Sequence, residues 1–393
     1  MGNFMNRVIV VGAGPAGLSL AMQLARAGRP VSLIEGRRDF ARGLRGDALM
    51  PSGLEALAQM GVWPLLEPLP QRPLSGWAVW LEGRLLFQVP EPMGALQGCR
   101  LVRQQALLEA LLAEALRHPN FDWQPGRSVS ELLRHNGRVS GVAFRDGGQL
   151  EAALVIGCDG RDSALRRAAE LKLVPRGTPL DLLWFQLPAP AEPAMGGDFM
   201  TLVGGGAIAS ACRGATGDLQ LGWLLPPNAD STPQRAASAW AEAFARLAPP
   251  ALAADLRQRA DQLSRPQRFT VQVGQVGRWW QPGLLLLGDA AHPMSPIRAQ
   301  GINLALRDSV VAARELLQAS DLDRACARIE RLRRPEISRL QALQLQEAQQ
   351  GHWIGHTPWL RHGLARLSPV AGPAVARIWR ARQRPLREGT LWL

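Results

Sequence analysis

The run Gly12-x-Gly14-x-x-Gly17, with an acid at Glu35, has the residue types and spacing of a dinucleotide site. Gly12 permits a tight turn, Gly14 lets backbone approach a pyrophosphate, and Gly17 allows a helix to pack closely on a strand. Ala16 lies inside the same turn and belongs to that expected cofactor-binding element. A helix N-terminus favours phosphate charge, and Glu35 can accept hydrogen bonds from ribose hydroxyls. The fingerprint alone does not tell a nicotinamide from a flavin dinucleotide.

The elements around these residues suit that task. Residues 7–11 are a short β-branched run, residues 18–27 have helical spacing, Gly28 stops the helix, and residues 31–35 form the next strand. This is the strand–helix–strand order of a βαβ unit. Beyond it the pattern predicts a helix over 51–60 capped by Ser52, a hairpin over 74–89 turning at Glu82-Gly83, and a long amphipathic helix over 101–117. A second hairpin is expected from 139–144 and 150–157, and strands at 181–187, 207–212, 220–225 and 268–273. A helix at 233–246 interrupts them, 283–287 reads as a buried parallel strand, and the chain from Ile302 onward is mainly helical. No repeat or linker separates the parts, so the domains are expected to interleave. Residues 1–73, 101–175 and 276–320 fall to the dinucleotide domain, 74–100 and 176–275 to a β-rich substrate domain, and 321–393 to a helical C-terminal region.

Two further segments resemble the p-hydroxybenzoate hydroxylase family, the single-component FAD monooxygenases. Cys158-Asp159-Gly160-Arg161-Asp162-Ser163-Ala164-Leu165-Arg166 is similar to that family's Asp-Gly motif, and Gly288-Asp289-Ala290-Ala291-His292-Pro293 to its Gly-Asp motif. The order and separation of all three motifs match, over roughly residues 6–320. The resemblance implies an α/β fold in which a Rossmann-like FAD-binding domain interleaves with a β-sheet substrate domain. It implies non-covalent FAD, NAD(P)H as co-substrate, and O2 activated as a C4a-hydroperoxide. The product would be a hydroxylated or epoxidised apolar small molecule, aromatic or polycyclic.

The same resemblance implies the contacts. Asp289, after Gly288, would bind ribityl hydroxyls, and the segment Pro296, Gly301, Ile302 and Asn303 would face the flavin pyrimidine edge. Asp159 would support the flavin site and the NAD(P)H surface. Arg45 and Arg103 match flavin-contacting positions, and Arg45 also carries a catalytic role in flavin reduction.

The chain departs from the family in two places. Arg298 stands where the family has glycine, and it either points inward, beside the flavin, or outward into solvent. Tyrosine is absent, so a phenol-deprotonating relay would need other groups or water, or the substrate needs no ionisation. His292 is a candidate base, although the resemblance makes it part of the FAD loop. Trp77, Trp184 and Trp223 are candidates to line a flat apolar pocket, with plain core packing the alternative.

Composition narrows the class. Hydrophobic residues make up 47% and charged residues 20%, as in a soluble globular chain. Four cysteines without a C-x-x-C pair argue against a disulfide scaffold, a zinc ribbon and a disulfide reductase, and fit a reducing cytoplasm. No metal site is expected. No apolar run reaches the roughly 20 residues of a membrane helix, and residues 1–7 are too short a lead for a signal peptide. The net charge is +12, but 44 of the 45 basic residues are scattered arginines, which argues against nucleic acid as partner. The Trp- and Arg-rich C-terminal stretch reads as a capping tail or a peripheral membrane or protein contact. A reductase or halogenase on the same fold, and a non-catalytic flavin-bearing binding protein, are the alternatives. For the halogenase, Trp77-x-x-Trp80 has the wrong spacing.

Overall fold

The computed structural model describes residues 6–41, 47–95, 97–190, 196–225 and 235–390. The β-branched run Val8–Val11 is buried along its length and pairs in parallel with Val31–Glu35 on one side and Leu154–Gly157 on the other. Leu284–Leu286 and Phe121–Pro125 extend this parallel sheet, and Trp280–Gln281 adds an antiparallel edge. Its central strands are apolar throughout because both faces are covered. Helix Pro15–Arg26 packs against helices Gln104–Ala115 and Gln300–Leu317.

A second sheet runs in the order Gln267–Val271, Leu180–Leu187, Leu219–Leu224, Ala207–Arg213, Asp198–Gly204, Gly76–Leu81, Arg84–Pro90. All its neighbours are antiparallel except Asp198–Gly204 with Gly76–Leu81. Strand residues alternate between faces. Leu183, Phe185 and Leu187 turn to helices Ala237–Ala245 and Pro250–Gln258 and form a core with Trp240 and Phe244. Leu182 and Trp184 turn the other way, toward the first domain.

A small sheet of Ala48–Leu49, Arg100–Val102 and Gln71–Pro73 lies where the chain passes between the two large ones. The 35-residue helix Leu322–His356 packs on Gln300–Leu317, and the last helix, Ser368–Glu388, lies against strand Arg84–Pro90. Among the described residues, no helix is long and apolar enough to cross a membrane.

Several expected elements take different forms. Residues 150–157 do not form one hairpin arm: Gln149–Glu151 pairs back on Arg138–Phe144, while Leu154–Gly157 enters the parallel sheet. A bend at Ala153 allows the same apolar stretch to serve both. Ser52 sits in the first turn of helix Pro51–Gln59; Met50 is the N-cap, and Pro51 supplies the fixed φ that starts the helix. Residues 101–102 are strand, and the helix begins at Gln104. Strand Asp198–Gly204 and helix Pro250–Gln258 were not foreseen.

Candidate active site

A cavity of about 2380 Å3 joins the glycine turn to the second sheet. At one end, Gly12, Gly14, Ala16 and Glu35 line it. Gly12 has φ 101°, and a Cβ there would collide with the carbonyl of Cys158 on the neighbouring strand. A Cβ on Gly17 would strike the Gly12 carbonyl, so Gly17 packs the turn and does not line the cavity. Glu35 accepts from the Ala13 N–H at 2.9 Å and the Arg37 N–H at 3.1 Å, fixing its carboxylate across the turn. Helix Pro15–Arg26 starts with no side-chain cap, and so does Gln300–Leu317, whose first residues Gly301 and Ile302 also line the cavity. Two uncapped helix starts on one cleft suit an anionic, hydrogen-bonding ligand. These features fit FAD.

Asp159 and Asp289 both line the cavity. Asp159 accepts from Ser163 Oγ at 2.6 Å and the Leu165 N–H at 3.1 Å, so it also ties down the start of a short helix. Asp289 Oδ2 lies 3.7 Å from Arg161 Nε, which joins the Asp-Gly and Gly-Asp motifs across the cleft. Gly288 and Pro296 complete this wall.

Three expected site residues here have other surroundings, and a fourth is not described. His292 is 1% exposed and does not line the cavity; its Nε2 is 2.7 Å from Asp308 Oδ2. Asp308 Oδ1 accepts from Arg333 Nε at 2.7 Å, and Arg333 and Arg307 converge on Glu336, all within the helix core. Burial acts to raise the Asp308 pKa, but His292 and Arg333 outweigh it and hold the carboxyl below its ordinary range. His292 therefore belongs to a buried ionic network and has no access to a substrate in the cavity. Asn303 is fully buried: its Oδ1 accepts from the Met50 N–H at 2.9 Å and its Nδ2 donates to the carbonyls of Ala48 and Ala299. The amide pins helix Gln300–Leu317 to the Met50 turn. Arg103 is exposed, and its neighbour Gln104 faces the cavity instead. Arg45 lies outside the described residues.

The second sheet forms the other end. Strand register places Trp77, Phe199, Thr201, Ser210, Gly222 and Trp184 on the same face, toward the cavity. Gly222 sits opposite Trp184, and a Cβ there would strike Ser210 Oγ on the neighbouring strand. Trp223, the next residue, necessarily faces the other way: it packs edge-on to Trp240 at 5.6 Å and Phe244 at 5.2 Å. The period of two is the reason; the ring, half-buried against that core, also borders the cavity.

Arg298 points inward, but to a protein partner. Its guanidinium lies 4.9 Å from the ring centroids of both Trp77 and Trp379, and its Nε donates to Glu347 Oε1 at 2.9 Å. The residue has φ 58° and Ala299 has φ 49°, so two successive non-glycine residues take the left-handed conformation beside the cleft. Glu347, Trp379 and Asp47 line the cavity too; sequence reasoning did not single out Glu347 or Asp47, and read Trp379 only as part of the Trp-rich C-terminal stretch. Glu347 and Trp379 come from helices far along the chain, and only the fold reveals their convergence.

A family model described as "FAD binding domain" matches residues 5–329. The chain belongs to the FAD binding domain family of flavin monooxygenases. It is 34% identical to 6-methylpretetramide 4-monooxygenase of Streptomyces rimosus, over 87% of this chain and 83% of that protein. It is 27% identical to 3-demethoxyubiquinol 3-hydroxylase of Escherichia coli, over 86% and 87% of the two chains. Among solved structures, pqsL of Pseudomonas aeruginosa, described as a probable FAD-dependent monooxygenase, superposes with a TM-score of 0.78 at 21% identity, covering 91% of this chain and 99% of that one. Membership in this family makes the protein an FAD-dependent oxidoreductase of the monooxygenase type.

Proposed function

We propose that the protein uses NAD(P)H and O2 to place one oxygen atom on an aromatic or polycyclic small molecule held against the second sheet. The observation that carries this reading is the continuous cavity, with a dinucleotide cradle at one end and an aromatic sheet face at the other. The 6-methylpretetramide and demethoxyubiquinol in the names of two relatives are ring compounds of that kind.

Bound FAD would supply hydride acceptance and oxygen activation; the chain supplies position, dryness and charge. Gly12, Gly14 and the uncapped helix start would hold the pyrophosphate, and Glu35 the adenosine ribose. Asp289 would bind ribityl hydroxyls, with Arg161 orienting it. The N-terminus of helix Gln300–Leu317 would stabilise negative charge at the flavin pyrimidine edge. Trp77, Trp184 and Phe199 would form an aromatic floor against which a flat ring lies and water is excluded. Arg45 would assist flavin reduction, and Asp159 would shape the surface where NAD(P)H approaches.

A screen of aromatic and polycyclic compounds tests the reading: a substrate should stimulate NAD(P)H oxidation and gain one oxygen by mass spectrometry. Reduction without oxygen gain in any compound would replace it with the reductase reading.

A further inference from the structure

A phenolic substrate would need somewhere to leave its proton, and the chain offers no tyrosine and no accessible His292. Asp47 lines the cavity at the junction of its two ends. Its backbone carbonyl accepts from the Val102 N–H at 2.8 Å. Its Oδ1 accepts from the Gln104 N–H at 3.2 Å, at the start of the helix that packs on the dinucleotide half. Its Oδ2 accepts from Gln220 Nε2 at 3.2 Å, on the cavity face of the substrate sheet. A carboxylate oxygen has two lone-pair sites, so these bonds fix Asp47 and leave it able to accept another.

We propose that Asp47 is the proton acceptor for a hydroxyl group on the ring substrate, which makes that substrate a phenol or enol. This rests on the monooxygenase reading above. In the step, the substrate O–H bond breaks, the proton passes to an Asp47 oxygen, and the electron pair stays on the substrate oxygen. The resulting phenolate is more electron-rich at its ring carbons, where an electrophilic oxygen would attack. No oxidation or reduction occurs in this step, and Asp47 returns the proton as product leaves.

The surroundings suit the task. Burial pushes the Asp47 carboxyl up to about 6, with the charge of Asp218 adding to it, while Gln104, Gln220 and Arg103 pull it down. The titratable and charged groups facing it are Asp218 and the Cys212 thiol on the sheet and Arg103 at the helix start. Asp218 is itself held by Thr216 Oγ1 at 2.7 Å and Gln186 Nε2 at 2.8 Å. With Asp218 adding its charge, Asp47 is poised to exchange a proton near neutrality.

The test uses holoenzyme, 1-naphthol and hydroxyanthraquinones as probes, and the methyl ethers of the same compounds. Asp47→Asn keeps the acceptor for the Gln104 N–H and should retain FAD and NAD(P)H-driven flavin reduction. Near neutral pH it should lose roughly 100-fold in oxygenation rate of the phenol, with peroxide released instead. The loss should shrink as pH rises toward the phenol's own ionisation, and Asp47→Glu should recover part of it at neutral pH. A D47N pH profile that superimposes on wild type overturns the proposal, and so does wild-type oxygenation of the ether as fast as the phenol. If D47N loses FAD, the D47E profile and the phenol-to-ether ratio in wild type decide the matter. Wild type that oxygenates none of these probes or any other ring compound overturns the functional reading itself; oxygenated product with an unchanged D47N profile overturns only Asp47's role.

Discussion

Replacing Arg298 with glycine should loosen the last helix from the cleft. The guanidinium touches two indoles, each 4.9 Å from its centroid, one on the seven-stranded sheet and one on helix Ser368–Glu388. A desolvated cation–π contact contributes about 0.5–2 kcal/mol. The Glu347 pair is largely shielded, with side chains 9% and 23% exposed, and a hydrogen bond to a charged group contributes about 1.5–3 kcal/mol. Glycine recovers roughly 1 kcal/mol by relieving the left-handed backbone at φ 58°. The net loss over both indoles, the Glu347 bond and the backbone gain is about 1.5–6 kcal/mol, of which the Trp379 contact alone, about 0.5–2 kcal/mol or up to roughly 30-fold, falls on the local opening of helix Ser368–Glu388. Amide hydrogen exchange of residues 368–388 should therefore accelerate by up to about that factor, with FAD still bound. Arg298→Lys should fall in between, since a lysine keeps the charge but not the flat surface that stacks between two rings. Unchanged exchange in R298G would refute the attachment. An unchanged peroxide fraction during substrate turnover would show that the attachment has no bearing on chemistry.

Asp289→Ala should weaken FAD binding by about 1.5–3 kcal/mol, read by fluorescence titration of the stripped protein; equal affinity would remove Asp289 from the cofactor site. Asp308→Asn breaks a fully buried charge network and should cost about 3–5 kcal/mol in denaturant unfolding. Because the folded Asp308 pKa lies below its ordinary value, its contribution is present above about pH 4 and vanishes as acid protonates the folded carboxyl, so D308N should flatten the acid limb of the stability curve. Asp47 behaves oppositely: its folded value of about 6 exceeds the unfolded one, so wild type loses stability as pH rises from about 4 through 6. Asp47→Asn should therefore raise the melting temperature above neutrality and leave it unchanged below about pH 4, a gain bounded at about 3 kcal/mol.

The dinucleotide half was legible because its signals are local. Gly12, Gly14, Gly17 and Glu35 lie within one βαβ unit, and hydrophobic period alone distinguishes its strands from its helix. The Gly-Asp turn followed a continuous apolar strand, equally plain. The substrate half hid its key strand: Asp198–Gly204 follows a proline- and glycine-rich stretch and pairs with Gly76–Leu81, about 120 residues earlier, so nothing nearby marks it. The three tryptophans were readable as types but not as directions. Trp184 and Trp223 face opposite sides of one sheet, and that follows only once register is known. His292 shared a motif with Asp289, yet three residues of separation carry it from the cleft into the ionic core. Asp47 offered no sequence signal, because its character comes from Gln104, Gln220 and Asp218, all distant in the chain.

The packing of helix Ser368–Glu388 on strand Arg84–Pro90 bears on how the polypeptide is made. That strand ends the seven-stranded sheet, and an uncovered edge strand bearing Leu85, Leu86, Phe87 and Val89 invites pairing with another molecule. The helix comes so near that a Cβ on Gly372 would strike the Leu86 carbonyl, and Arg387 pairs with Glu91 just beyond the strand. During synthesis this edge emerges about 280 residues before the helix that covers it. A chain that stops short of residue 368 thus carries its cofactor fingerprint intact with this apolar border bare. Synthesis through the helix, rather than cofactor capture, is what covers it.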